Sequence, residues 1–174
     1  NQVAQNLAGQ RTNLIGVLVS SAVKKPLAQY LQEKIWQPAG MEAPATWLLG
    51  QTGHEIAGCC IQAATRDFAR FGLFVLANGN AGGKQIVPTD WFSMATVKQK
   101  DIGEPGHGYG FQWWTYDDGS FAAQGIFGQG IFIDPKRKLV IASNANWTRA
   151  TMGPEPEARE AFYRRVQGLI DAGR

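Results

Sequence analysis

The chain has 174 residues, 44% of them apolar and 18% charged, and a formal net charge of +3. That composition is too apolar for disorder. Its Lys and Arg cluster only at "KQK" (98–100), "KRK" (136–138) and "YRR" (163–165), which argues against a nucleic-acid interface, since that needs a basic stripe. No run of eighteen apolar residues is present, and "NQVAQNLAGQRTN" has neither the basic nor the apolar region of a signal peptide, so neither a membrane partner nor an address is expected from the sequence.

Thr12 can cap a helix through "NLIGVLVSSAV", and Pro26 stands where a second, "PLAQYLQEKIW", begins, the two meeting at Lys24 and Lys25. The second helix repeats Leu27, Leu31 and Ile35 on one face and stops before Pro38 and Gly40. Residues 39–57 mix Pro, Gly and Trp without period and read as loop. Thr65 then caps a third helix, "RDFARFGLFVLANG", with Phe68, Phe71 and Val75 on one face and Gly79 at its end. Thr89 caps a fourth, with the Asp90 carboxylate in its first turn.

The pattern changes near Gly108. "YGFQWWTY" turns at Asp117, Asp118 and Gly119 into "SFAAQ", and "GQGIFID" turns at "DPKR" into "KLVIASNA", an antiparallel meander of three or four strands. The final segment places Ala158, Phe162, Val166, Leu169 and Ile170 on one stripe, a helix expected to lie on the sheet. The organisation is thus a mainly helical part over 1–107, a β meander over 108–149 and a terminal helix over 154–174. That succession is α+β.

Ser21 and Lys24 match Ser-x-x-Lys, in which a lysine one turn away takes the serine proton. Ser21 lies in mid-helix and Lys24 just before a break, so the pair reads as helix surface. None of the five serines sits in a Gly-x-Ser-x-Gly elbow. His54 and His107 lack partners at ligand spacing, so no metal is expected, and both read as loop residues. Cys59 and Cys60 are adjacent, a poor geometry for a disulfide, and read as buried small hydrophobes. Asn146-Trp147-Thr148 matches a glycosylation sequon, relevant only in a eukaryotic secretory setting. Gly125, Gly128 and Gly130 weaken what would otherwise be a strand, and glycine there marks a bulge or the close approach of a backbone or ligand.

Together "TNLIGVLVSSAVKKPLAQYLQEKIWQPAGME", "AATRDFARFG", "GNAGGKQIVPTDW", "GYGFQWW" and "GQGIFIDPKRKLVIASNANW" resemble the serine hydrolases of the class C β-lactamase superfamily, in the branch of esterases and 6-aminohexanoate-dimer hydrolases. The resemblance implies a single incomplete domain, the C-terminal part of the serine β-lactamase/penicillin-binding-protein-like fold, with an antiparallel sheet and flanking helices. It implies a cofactor-free acyl transfer on a small-molecule ester or amide. The family's Ser-x-x-Lys lies upstream of the matched region, so Ser21 does not take its place. The family tyrosine falls at Leu7, with the third residue of its motif at Gly9, and neither side chain is retained. The family's Lys-Thr-Gly strand is filled by Ala123, Gln124 and Gly125. The resemblance implies that Ile126 would offer its backbone N–H to an oxyanion, with Gly125 beside it in the catalytic set and Ala123, Gln124, Tyr109 and Trp113 on the substrate. Loss of the lysine argues against a carboxylate-bearing substrate. Two readings stay open: the C-terminal portion of a serine hydrolase, completed by a missing N-terminal half or by self-association, and a noncatalytic ligand- or protein-binding domain. Bacterial export or a cytoplasmic location are both compatible with the resemblance.

Overall fold

The structure, a computed structural model, describes the backbone of residues 2–173 and the side chains of residues 11–173. Two compact units divide between Asp67 and Phe68.

The first unit opens with α1 (Gln2–Val23) and α2 (Leu27–Leu31), the latter running into a π turn at Gln32–Trp36. Helix α1 starts ten residues before the expected cap at Thr12, because no proline interrupts that stretch. The positions aligned with the family tyrosine motif, Leu7 and Gly9, lie outside the residues whose side chains are described. Gly16 is required inside α1, since a Cβ there would lie 2.2 Å from the Ala57 Cβ. Pro26 offers α2 no side-chain cap, and the Glu55 carboxylate supplies one by accepting the Ala28 N–H at 3.0 Å. The segment read as loop contains β1 (Thr46–Trp47), which pairs antiparallel with β2 (Ile61–Gln62). Asp67, fully buried in the first turn of α3 (Thr65–Leu76), accepts the N–H groups of Glu42 and Ala43 at 2.8 and 3.1 Å and so pins that loop.

The second unit carries the rest of α3, the short hairpin β3 (Asn80–Ala81) and β4 (Lys84–Gln85), and α4 (Trp91–Ala95), whose N-cap is Asp90 rather than Thr89. Its sheet has six antiparallel strands: β5 (Lys100–Asp101), β6 (His107–Tyr109), β7 (Trp114–Tyr116), β8 (Phe121–Gln124), β9 (Gly130–Asp134) and β10 (Leu139–Ser143). They lie in sequence order, with β5 and β10 at the edges. The stretch "YGFQWWTY", read as one strand, is two. Gly110 donates to the Trp113 carbonyl at 2.8 Å in a tight turn, and a Cβ at Gly110 would lie 2.2 Å from the Ala95 carbonyl oxygen. Every residue of β9 is buried, which is why residues 130–133 are continuously apolar instead of alternating, while the buried Asp134 at its end is paired with Arg137 and Gln167.

Helix α3 covers one face of the sheet so closely that a Cβ at Gly72 would meet Val140 at 2.5 Å and Ile131 at 2.9 Å. Helix α5 (Glu155–Asp171) covers the other, with Tyr163 stacked on Phe132 at 4.3 Å between ring centroids above Tyr116 and Ala122. The apolar stripe expected for α5 is rotated: Phe162 and Ile170 are exposed, while Tyr163 and Gln167 are buried. A polar network sets that rotation. Gln167 donates to Asp134 at 2.6 Å and Asp118 at 3.0 Å, Arg164 donates to Asp118 at 2.5 Å, and Arg137 bridges Asp134 and Asp171.

Candidate functional site

The segment joining β8 to β9, Gly125 to Gln129, is a compact turn and not a strand. Gly125 donates to the Gln129 carbonyl at 2.8 Å, and Gly128 donates back to the Gly125 carbonyl at 3.3 Å. The glycines that raised the question of close approach are accounted for by protein side chains. A Cβ at Gly128, where φ is +89°, would lie 2.3 Å from the Trp147 indole nitrogen, and one at Gly130 would lie 2.9 Å from the Tyr163 hydroxyl. At Gly125 the neighbour is the Gln129 side chain.

Two further bonds hold this turn from the 144–151 segment. The Trp147 N–H donates to the Phe127 carbonyl at 3.1 Å and the Thr151 N–H to the Ile126 carbonyl at 2.8 Å. A trans peptide sets its N–H opposite its carbonyl, so tying down the Gly125 carbonyl also aims the Ile126 N–H. Among the described residues no acceptor is paired with that N–H, and the Ile126 side chain is exposed.

A cavity of about 280 Å³ lies beside the turn. Ala123, Gln124 and Tyr109, expected on the substrate, and Gly125, expected beside the oxyanion donor, line it, while Ile126 follows Gly125 without itself being among its lining residues. Trp113 does not: it is buried and packs edge-on against Phe121 at 5.3 Å. Its neighbour Trp114 takes the cavity wall, set against Tyr109 at 5.0 Å. Gln112 also lines the cavity; it holds φ +66° in the tight turn and accepts the Tyr109 hydroxyl at 3.3 Å. Burial raises the Tyr109 pKa above its ordinary value, so the phenol stays neutral. None of the described residues lining the cavity is charged.

Sequence reasoning missed Arg159. From α5 it donates to Gln124 Oε1 at 2.6 Å and lies over the Trp147 ring at 4.8 Å, while the Gln124 amide donates to the Tyr116 hydroxyl at 2.8 Å. Gln124 is thereby held from the α5 side, and the last residue of β8 is fixed where the turn begins. No motif signals an arginine thirty-five residues away in this role.

The other candidates take structural parts. Ser21 is exposed near the end of α1, and Lys24 lies beyond that end at φ +54°, so the two are not one turn apart on a continuous helix. His54 is exposed in its loop. His107 opens β6 rather than a loop, and it contacts Glu160 Oε2 at 3.1 Å and the Pro105 carbonyl at 2.9 Å. Cys59 and Cys60, expected as separate buried hydrophobes, form a disulfide in which Cys59 is exposed. Cys60 takes φ +79°, so the two side chains do not point to opposite sides as neighbours in an extended chain would. Among the described residues no three His, Cys, Asp or Glu side chains gather where they could share a metal ion, and no helix is long and apolar enough to cross a membrane.

The β-lactamase family model matches residues 11–165. A 6-aminohexanoate-dimer hydrolase of Paenarthrobacter ureafaciens is 25% identical, aligned over 94% of this chain and 43% of its own length. A solved structure described as a candidate 6-aminohexanoate-dimer hydrolase of Bacillus anthracis superposes with a TM-score of 0.78 at 32% identity, over 90% of this chain and 42% of that one. EstCE1, described as a hydrolase with promiscuous acyltransferase activity, shares the fold at a TM-score of 0.61 and 14% identity, over 78% of this chain and 50% of that one. The chain spans about two-fifths of the length of the two 6-aminohexanoate-dimer hydrolase matches.

Proposed function

The chain belongs to the β-lactamase family, and on that premise we propose that it supplies the oxyanion wall of a serine hydrolase whose nucleophile is carried by polypeptide outside these residues. The observation that carries the reading is the Ile126 N–H: its peptide plane is fixed by Gly128, the following carbonyl is tied back by Thr151, and the N–H itself is unpaired among the described residues.

In the proposed reaction a serine oxygen attacks the carbonyl carbon of an ester or amide in the cavity beside β8. The carbonyl oxygen takes up the negative charge and is received by the Ile126 N–H. Collapse expels the alcohol or amine and leaves an acyl-enzyme, which water then hydrolyses. The wall formed by Tyr109, Gln112, Trp114 and Ala123 suits a neutral acyl group, since no described residue lining it is a cation that could pair with a substrate carboxylate, and Arg159 behind it is engaged with Gln124 and Trp147. The apolar residues Leu14, Ile15, Val17 and Leu18, exposed on α1, and the outer edge of β10 support a chain that packs against further polypeptide.

The test is a fusion in which the Ser-x-x-Lys-bearing portion of the Paenarthrobacter ureafaciens relative precedes this chain, assayed for p-nitrophenol release from a short-chain ester. Turnover that survives Ile126→Ala but falls about 100-fold or more in Ile126→Pro, which lacks the N–H, supports the reading. Equal turnover in both variants would refute it.

A further inference from the structure

Cys59 and Cys60 lie far from the Ile126 turn in sequence and in the other compact unit, and nothing in the proposed hydrolysis uses them. Their surroundings connect them to a different cavity. The Cys59 carbonyl accepts the Trp47 indole N–H at 3.0 Å, and the Cys60 carbonyl accepts the Leu48 N–H at 3.2 Å. The next residue, Ile61, pairs with Trp47 across β1 and β2. Trp47 and Ile61 in turn wall a cavity of about 400 Å³, together with Leu31, Trp36, Met41 and Pro44. The cysteine pair therefore sits directly on the hairpin that forms one side of that cavity.

Its backbone is unusual for the residue type. Cys60 holds φ +79°, a left-handed conformation that side-chain-bearing residues avoid and glycine adopts freely. The covalent ring between neighbouring residues restrains it there. Once the ring opens, Cys60 is free to return to negative φ, and doing so turns the carbonyls that hold Trp47 and Leu48. Cys59 is exposed, so a thiol or disulfide reagent can reach the bond from solvent.

We propose that Cys59 and Cys60 form a thiol–disulfide exchange site for small disulfides of the glutathione class, and that its oxidation state sets the shape of the cavity walled by Trp47 and Ile61. In the oxidative direction one cysteine thiolate attacks a sulfur of the glutathione disulfide and releases one glutathione thiolate. The neighbouring thiolate then attacks the mixed disulfide and releases the second. The S–S bond between Cys59 and Cys60 forms, the glutathione S–S bond breaks, and the two cysteine protons end on the two glutathione thiols. Two glutathione thiols run the same exchange in reverse, opening the Cys59–Cys60 bond and re-forming glutathione disulfide.

The experiment uses the full chain labelled with 5-fluorotryptophan, which reports its six tryptophans separately by fluorine NMR, with Trp36 and Trp47 assigned from their Phe variants. Intact mass and thiol titration are followed as glutathione is stepped from reduced to oxidised. The expected result is loss of both titratable thiols, a mass lower by two hydrogen atoms with no glutathione adduct retained, and a shift of the Trp47 signal in step, while the four signals not assigned to Trp36 or Trp47 stay fixed. Cys60→Gly, which adopts positive φ without a ring, is expected to hold the oxidised Trp47 position under both conditions. Cys60→Ser is expected to hold the reduced one. Thiols that persist in excess oxidised glutathione, a stable adduct on one cysteine, or a Trp47 signal that does not move when the wild-type bond opens would each overturn the proposal. The wild-type arm stands by itself if a variant fails to fold.

Discussion

Replacing Asp118 by Asn removes one charge from the network that fixes α5 on the sheet. Burial opposes the charge on Asp118, but the Ser120 hydroxyl and N–H, the Gln167 amide and the Arg164 guanidinium outweigh it and hold the pKa down at about 2, against an ordinary 3.8. At about 1.36 kcal/mol for each tenfold change in acidity, the fall from 3.8 to about 2 is worth at most about 2.5 kcal/mol. The side chain is 35% exposed, so solvent screening reduces this to roughly 1 kcal/mol. Because the folded-state pKa lies below the unfolded one, this contribution is fully present above about pH 5 and is lost as the pH falls through 3.8 toward 2. Urea unfolding of the wild type and Asp118→Asn at steps from pH 7 to pH 2 measures it. The wild type is expected to be more stable by roughly 1 kcal/mol at neutral pH, with the difference closing by about pH 2. A difference that stays constant across that range would show that Asp118 acts through shape and neutral hydrogen bonds, and the charge argument would fail.

The His107 pKa is raised: burial works to lower it, but the Pro105 carbonyl, Glu160 and Glu104 favour the imidazolium and prevail. Its contribution to stability is therefore complete below the ordinary 6.5 and is lost as the pH rises through the folded-state value, and an NMR titration of Glu160→Gln is expected to move the His107 pKa downward. Gly110→Ala forces a methyl group against the Ala95 and Val97 carbonyls, and is expected to cost about 1–3 kcal/mol in urea unfolding. Phe132→Ala empties a fully buried site beneath Tyr163 and is expected to cost about 3–5 kcal/mol, measured the same way.

Strands β8 to β10 were legible because apolar runs end at strong turn residues, Asp117 to Gly119 and Asp134 to Lys138. The break between β6 and β7 was not, since the close approach of the Ala95 carbonyl to Gly110 is a tertiary contact with no local signal. The face of α5 was misplaced for a related reason. Hydrophobic periodicity gives no weight to Gln167, yet its bonds to Asp118 and Asp134 bury it, and Phe162 is turned outward. At the candidate site, resemblance located Gly125 and Ile126, and composition flagged the glycines. What those glycines admit, the Trp147 indole and the Tyr163 hydroxyl, comes from later in the chain and could be seen only in three dimensions. The cysteine pair was misread because adjacency argues against a disulfide in extended backbone, and nothing in the sequence announces the positive φ at Cys60.

The claim that these residues carry the oxyanion donor but not the nucleophile is tested most directly by p-nitrophenyl ester hydrolysis with the purified chain, its Ser21→Ala variant and the fusion bearing the family Ser-x-x-Lys. The account predicts no turnover by the chain or its variant and turnover by the fusion. Turnover by the chain alone that disappears in Ser21→Ala would contradict it and make Ser21 the nucleophile.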